Sequence, residues 1–174
     1  MEKLKTVRGT HDLLEKDFRI IDEIIGVSEE VSRSFNFEKI STPIIEFSDL
    51  FFKTLGQSSD IVQKEMYTFI DQGKESITLR PEGTAAVARA LISNSLYEQI
   101  SQKYFYHGPM FRRERPQAGR LRQFHQFGVE SFNQDSFLCD LEVILLAKKI
   151  LRALALDENL ELQLNTLGTF ETRL

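Results

Sequence analysis

A single cysteine, Cys139, in 174 residues leaves no internal disulfide to form, and with only three scattered histidines it cannot build a cysteine-rich zinc cage. Nine glycines, four prolines and no low-complexity tract exclude a collagen-like, fibrous or disordered chain. No apolar run reaches the ~18 residues that a membrane helix needs. The N-terminal stretch MEKLKTVRGTHDLLEKD lacks the apolar core of a secretory signal. The expectation is a cytoplasmic chain with no membrane partner. Positive charge is in short supply overall, 22 Lys and Arg against 26 Asp and Glu, for a net charge of −4. A basic coat over the whole surface is thereby excluded, whereas a local basic patch is not. What remains is 41% hydrophobic, in a chain long enough to bury roughly 70% of its unfolded surface around one core.

The patterning predicts a mixed α+β domain. Apolar residues Phe18, Ile21, Ile25, Val31 and Phe35 fall mostly three or four apart, giving a first helix over Asp17 to Phe35. Phe37 to Ile45 turns to β-branched and aromatic character, and Pro43 within it restricts that strand to a sheet edge, an interface or a bend. Ser48 is the expected N-cap, and Gly56 the expected C′ residue, of a short helix carrying Leu50, Phe51 and Leu55. Met66 to Ile70 and Ser76 to Leu79 read as a hairpin whose Gly73 supplies a positive φ. An Ala-rich helix over Ala85 to Leu91 follows, with Thr84 or a near neighbour as its N-cap. Lys103 to Phe111 and Gln123 to Phe132 are strands of a long hairpin. Ser136 to Leu154 is an apolar helix in which Cys139 is a core residue, and Leu160, Leu162 and Leu164 alternate as in a strand. Gly168 and the residues after it read as the start of a further element, and no boundary divides the chain.

The chemistry concentrates in Phe111 to Arg122, FRRERPQAGRLR, where five arginines (112, 113, 115, 120 and 122) meet one glutamate, Glu114, in a chain that is otherwise acidic. Guanidinium forks match phosphate oxygens and do not deprotonate, so this is where a phosphate would bind. Strand alternation puts Arg112 and Glu114 on one face and Arg113 and Arg115 on the other. On the returning strand Gln126 and Glu130 share a face, with Phe127 and Val129 behind it and Gly128 keeping the floor clear of side-chain bulk. An arginine, two carboxylates and an amide there would hold an anion and an ammonium group side by side. A plain solvated face or a generic RNA- or nucleotide-binding hairpin is the alternative on charge alone. Glu82 likewise has two readings, as a ligand contact or as a carboxylate capping a helix N-terminus. His11, His107 and His125 are expected to pack or hydrogen-bond, since no pair of them has metal-ligand spacing.

Three strings taken together, RGTHDLL at Arg8 to Leu14, RPEGTA at Arg80 to Ala85, and FRRERPQAGRLRQFHQFGVE from Phe111 to Glu130, closely resemble the histidyl-tRNA synthetases of the class II aminoacyl-tRNA synthetases. Phe37 to Gly56 resembles the family's dimer-interface motif, and Gly108 to Glu130 its ATP-binding strand-loop-strand motif. The resemblance implies a class II antiparallel sheet flanked by helices, truncated here. Residues 1–174 would form the N-terminal part of a catalytic domain, without the third class motif and the anticodon-binding domain. It also implies ATP as substrate, Mg²⁺, histidine, tRNA(His) and a homodimer through Phe37 to Gly56. By position in the motifs, Arg112 is the catalytic arginine on the α-phosphate, Glu114 the acid near the adenine and loop, and Arg120 the arginine of the outer phosphates. Glu82 and Thr84 match contacts to the substrate's α-ammonium group, and Gln126 and Glu130 complete the histidine site with Glu130 toward the imidazole. Arg113, Arg115 and Arg122 would face solvent or tRNA. The fragment alone is expected to be inactive. The competing resemblance is to the non-catalytic regulatory subunit of ATP phosphoribosyltransferase.

Overall fold

The computed structural model describes residues 4–56, 59–98, 102–133 and 136–165. The reading of Gly168 and its followers lies outside them. Helix α1 (Glu15–Ser34) leads to a two-residue strand β1 (Glu38–Lys39), strand β2 (Ile45–Phe47) and helix α2 (Ser48–Leu55). A single π-turn, Ile61–Glu65, precedes β3 (Tyr67–Ile70) and β4 (Ser76–Leu79), and helix α3 (Thr84–Ser93) follows. Strands β5 (Gln102–Phe111) and β6 (Gln123–Phe132) form the long hairpin, and α4 (Phe137–Ala153) and a 3-10 turn (Asp157–Asn159) follow.

The strand predicted over Phe37 to Ile45 is two strands in two sheets, divided at Pro43. One sheet has the order β1-β5-β6, with β1 parallel to β5, and the other is an antiparallel β2-β4-β3. Proline has no N–H to give a ladder, so the chain leaves one sheet before it and joins the next after it, at an edge each time. The α+β class is as expected, and its antiparallel pairing is divided between two small sheets, one of them mixed by the parallel β1-β5 pair. Both meet at Arg80, directly after β4. Its N–H donates to Ile44 O at 2.9 Å, and its carbonyl accepts from Phe111 N at 3.0 Å at the end of β5.

Sheet β1-β5-β6 packs against helices on both faces. Phe105 stacks on Phe127 at 5.9 Å between centroids, and joins Val31 of α1 and Leu146 of α4 in one cluster. The opposite face, one residue along, carries Tyr106 and Met110 against Val87 and Leu91 of α3. Strand periodicity sorts the hairpin into these two sets and puts Tyr104, Tyr106, Gly128 and Glu130 on the α3 side, with Tyr106 paired to Gly128 and Tyr104 to Glu130.

Several local expectations are corrected. Ser48 does not cap α2. Its buried hydroxyl bridges to Ser76 at 2.8 Å and Thr78 at 2.7 Å on β4, tying the helix to the sheet. Gly56 follows α2 with φ 79° as expected, but in the hairpin turn the positive φ belongs to Lys74 (66°), not to Gly73. Phe18 lies exposed on the free end of α1, beyond the reach of the core. Phe51, carried by α2, is fully buried in the core. Cys139 is only partly buried, in the first turn of α4. Leu160, Leu162 and Leu164 are exposed in irregular chain, because among the described residues no strand lies beside them to complete a ladder. Ser136 does cap α4, accepting from Leu138 N at 3.3 Å. Ser136→Ala is therefore expected to lower stability by about 1 kcal/mol, and Ser136→Gly by only a few tenths, measured by urea unfolding. No helix of the described residues is long and apolar enough to cross a membrane.

Candidate active site

Glu82 lies in the tight Arg80 to Gly83 connection between β4 and α3. Its two oxygens accept from Thr84 N at 2.6 Å and Ala85 N at 3.0 Å. The first amides of a helix have no partner within it, and a carboxylate there satisfies them while facing the positive end of the helix dipole. The capping reading of Glu82 is therefore observed. Thr84, freed from capping, is the first residue of α3 with Gly83 before it. Its hydroxyl donates to Glu130 Oε1 at 2.7 Å, and the Tyr106 hydroxyl donates to the same oxygen at 3.3 Å. Burial raises the Glu130 carboxyl above its usual range, as does the charge of Glu82, while the two hydroxyl donors work in the opposite direction. Burial and then the charge of Glu130 push the Tyr106 phenol up to about 12.

Arg112 begins a second group. Strand β5 stops at Phe111, so side-chain direction beyond it follows from hydrogen bonds and not from the pleat. Arg112 Nε donates to Pro81 O at 3.0 Å, and the guanidinium lies 5.1 Å from the centre of the Phe124 ring. Glu114 stands between two arginines, 4.0 Å from Arg112 and 3.3 Å from Arg120. Arg120 closes a turn with Gln117, and its own side chain is largely exposed. The backbone N–H of Arg113 donates to Glu65 O at 2.6 Å, and Arg113 borders a charged cleft of about 390 Å³ with Lys64, Glu65, Glu114, Arg115 and Arg120. The arginine loop is also stitched to the N-terminal RGTHDLL segment. Arg122 N donates to Gly9 O at 2.7 Å and Arg122 Nε to Glu114 O at 3.2 Å, so Arg122 is a structural tie and not a solvent-facing group.

The structure thus brings Glu82, Thr84 and Glu130 together, and Arg112, Glu114 and Arg120 together. The Pro81 carbonyl, one residue before Glu82, links the two groups. Gln126 lies on the same face as Glu130, four residues away along β6 with Gly128 between them. Its side chain bonds to neither group, and its Oε1 is buried without a hydrogen-bond partner among the described residues. The floor at Gly128 is not clear. The Tyr106 ring lies across it, so that a Cβ at Gly128, or at Gly83 on the ring's other side, would fall within the ring atoms. Of the histidines, His107 Nε2 is 3.2 Å from Glu29 on α1. His11 and His125 line the same cleft, beneath α1 and away from the carboxylates. Burial, then the neighbouring His107 and His11, lower the His125 pKa.

Residues 9–173 match the sequence model of the family described as Histidyl-tRNA synthetase. The chain belongs to the histidyl-tRNA synthetase family. Its relatives include proteins named histidine--tRNA ligase from Gluconobacter oxydans, 52% identical over 99% of this chain, and from Rhodospirillum rubrum, 51% identical over 99%. The chain spans 42% of the length of each. The solved apo histidyl-tRNA synthetase of S. aureus superposes with a TM-score of 0.71 at 37% identity, over 87% of this chain and 35% of that one. A Bacillus halodurans structure titled ATP phosphoribosyltransferase regulatory subunit/histidyl-tRNA synthetase superposes with a TM-score of 0.73 at 24% identity, over 87% of this chain and 39% of that one, a likeness of fold.

Within this histidyl-tRNA synthetase family chain, sequence reasoning missed Tyr106 and Arg80. Tyr106 reads as one aromatic among several in β5. The available signal was the hairpin register, which sets a large ring opposite a glycine. Arg80 reads as the first letter of RPEGTA, yet it is 5% exposed and bonded through its side chain to Pro109 O and Thr42.

Proposed function

We propose that the protein is a histidine-tRNA ligase, activating histidine with ATP and passing the histidyl group to the 3′ end of tRNA(His). The observation that carries this reading is the shared face of the β5-β6 hairpin, where the Glu82, Thr84 and Glu130 cluster adjoins Arg112 through Pro81. Histidine's carboxylate oxygen attacks the α-phosphorus of ATP, the bond from that phosphorus to the β-bridging oxygen breaks, and pyrophosphate leaves. No protein nucleophile is needed, so the chain's task is alignment and charge stabilisation. Arg112 supplies N–H donors to the α-phosphoryl oxygens, on which negative charge grows. Arg120 reaches the outer phosphates, and Glu114, set between the two guanidinium groups and near the adenine, bridges them and keeps both in place.

Glu82 still has acceptor capacity for an ammonium ion, because each carboxylate oxygen carries a second lone pair beyond the one used in capping. Thr84 lies beside it, and Gln126 brings an unused amide oxygen to the same face. Glu130 accepts a ring N–H of the substrate imidazole. A pocket built this way rejects amino acids without that donor, since its acceptor would be left unpaired. Among the described residues no three acidic or histidine side chains converge to form a metal cage. Mg²⁺ fits as part of the nucleotide substrate, held chiefly by phosphate oxygens and water.

The exposed Ile44, Ile45 and Phe47 beside Pro43 support a homodimer through the Phe37 to Gly56 region. The reading as a regulatory subunit of ATP phosphoribosyltransferase is supported by likeness of fold alone. The deciding assay is histidine-dependent exchange of pyrophosphate into ATP with the intact protein, alongside calorimetric titration of histidine at moderate salt. Exchange that requires histidine is expected. Binding that ignores histidine and weakens steeply with salt would instead fit a generic nucleic-acid module.

A further inference from the structure

The Tyr106 hydroxyl and the Thr84 hydroxyl both donate to one oxygen of Glu130, Oε1. Among the described residues nothing donates to the other. We infer that Tyr106 is a specificity-determining positioning residue: with Thr84 it occupies Oε1, so that Oε2 is the oxygen presented to the ring N–H of histidine. This rests on the reading of Glu130 as the imidazole acceptor and adds to it what fixes that carboxylate's rotation.

The placement of Tyr106 is over-determined. Its ring is 4% exposed and belongs to the core under α3, with Val87, Leu91 and Met110. Two glycines flank it, Gly83 in the loop and Gly128 across the ladder, and neither position has room for a Cβ beside the ring. A ring held from both sides delivers its hydroxyl to one place. The phenol stays protonated throughout the physiological range, so it acts as a donor and never as a competing anion. Thr84 alone would leave the carboxylate free to swing about its terminal torsion, which is soft and roughly two-fold. Two donors from different elements, α3 and β5, fix it. A free oxygen in a fixed direction distinguishes an aromatic N–H from a side chain that offers only bulk.

The test uses the intact protein carrying Tyr106→Phe, which keeps the ring and removes one oxygen, with Thr84→Val and the double variant beside it. In pyrophosphate exchange the KM for histidine is expected to rise roughly 10- to 100-fold in Tyr106→Phe, while the KM for ATP stays within about twofold of wild type. Loss of a donor to the carboxylate also favours its protonated form, so the acid limb of kcat/KM for histidine moves to higher pH. Glu82 and Tyr106 are the titratable groups facing Glu130, and Tyr106→Phe leaves Glu82 in place. In the double variant the two effects are expected to combine non-additively, because the hydroxyls share one oxygen. An unchanged histidine KM and acid limb in an active Tyr106→Phe enzyme would overturn the inference and leave the proposed function standing. An equal rise in both KM values would overturn it too, by showing a general structural role. A wild-type protein without histidine-dependent exchange would remove the function, and this inference with it.

Discussion

Replacing Arg112 by alanine is expected to slow histidyl-adenylate formation about 10²-fold or more, the scale seen when one donor is removed from a site of developing oxyanion charge. The geometry makes the loss specific. Arg112 has one N–H committed to Pro81 O and its guanidinium set over the Phe124 ring, which fixes the orientation of its remaining donors without a ligand. In the proposed reaction such preorganisation would stabilise the transition state without reorganisation at the moment of reaction. Lysine in the same place keeps the charge but neither the fork nor the ring contact, so Arg112→Lys is expected to fall much nearer to alanine than to wild type. Single-turnover adenylate formation at saturating ATP and histidine measures the effect. Because Pro81 O and Glu114 also lose a partner, each variant is checked by thermal unfolding, where a small shift is expected. A rate within a few-fold of wild type in a folded Arg112→Ala protein would take Arg112 out of its role.

The parts of the fold that were readable are those where one local rule acts alone. The β5-β6 hairpin is legible because two aromatic runs flank a polar, Gly-containing stretch. Helix α1 is legible from apolar spacing, α3 from its run of alanines and α4 from its length of apolar residues. Pro43 correctly marked a place where no central strand can pass, but whether the chain bends or changes sheets depends on what Arg80 binds, and that is set by residues nearly forty positions away. Ser48 has the chemistry of a cap and is used for another hydroxyl bond, because β4 brings Ser76 and Thr78 within reach. Leu160 to Leu164 alternates like a strand, and alternation reports only a preference for pairing. A ladder needs a neighbour, which the described residues do not contain. At the site, residue types and faces were legible, since alternation alone puts Gln126 and Glu130 together. The role of Tyr106 was not, since a tyrosine in an aromatic strand looks like core, and here it is core and hydrogen-bond donor at once. For Glu82 the two readings proved compatible, because capping uses only part of a carboxylate's acceptor capacity.

Arg80→Ala should destabilise the protein more than Ser136→Ala or Arg112→Ala does. The buried guanidinium donates to Pro109 O at 3.0 Å, to Thr42 O at 3.0 Å and to Thr42 Oγ1 at 3.2 Å. No carboxylate is within ion-pair distance of it among the described residues, and burial lowers its pKa below the usual arginine range, although an arginine remains charged. Two effects oppose each other. Removing the side chain orphans three acceptors, at ~1–3 kcal/mol each where they stay buried. It also relieves the desolvation of a charge, which is worth several kcal/mol before hydrogen bonds offset it. Here the hydrogen bonds are in place and the stem also fills space between the sheets, so a net loss of about 3 kcal/mol is expected, or roughly 6–12 °C in melting temperature for a domain of this size. Thr42→Val removes one of the three acceptors while Arg80 Nη1 keeps its bond to Thr42 O, and it is expected to cost only about 1 kcal/mol. Lysine cannot span Pro109 and Thr42 from one ammonium group as the fork does, so Arg80→Lys should resemble alanine. The loss should reach the site as well, since Arg80 anchors the loop that offers Pro81 O to Arg112 and Glu82 to α3. Arg80→Ala unfolding within 1 kcal/mol of wild type would mean that the two sheets hold their relative position without it, and that the coupling between the Pro43 segment and the arginine loop runs elsewhere.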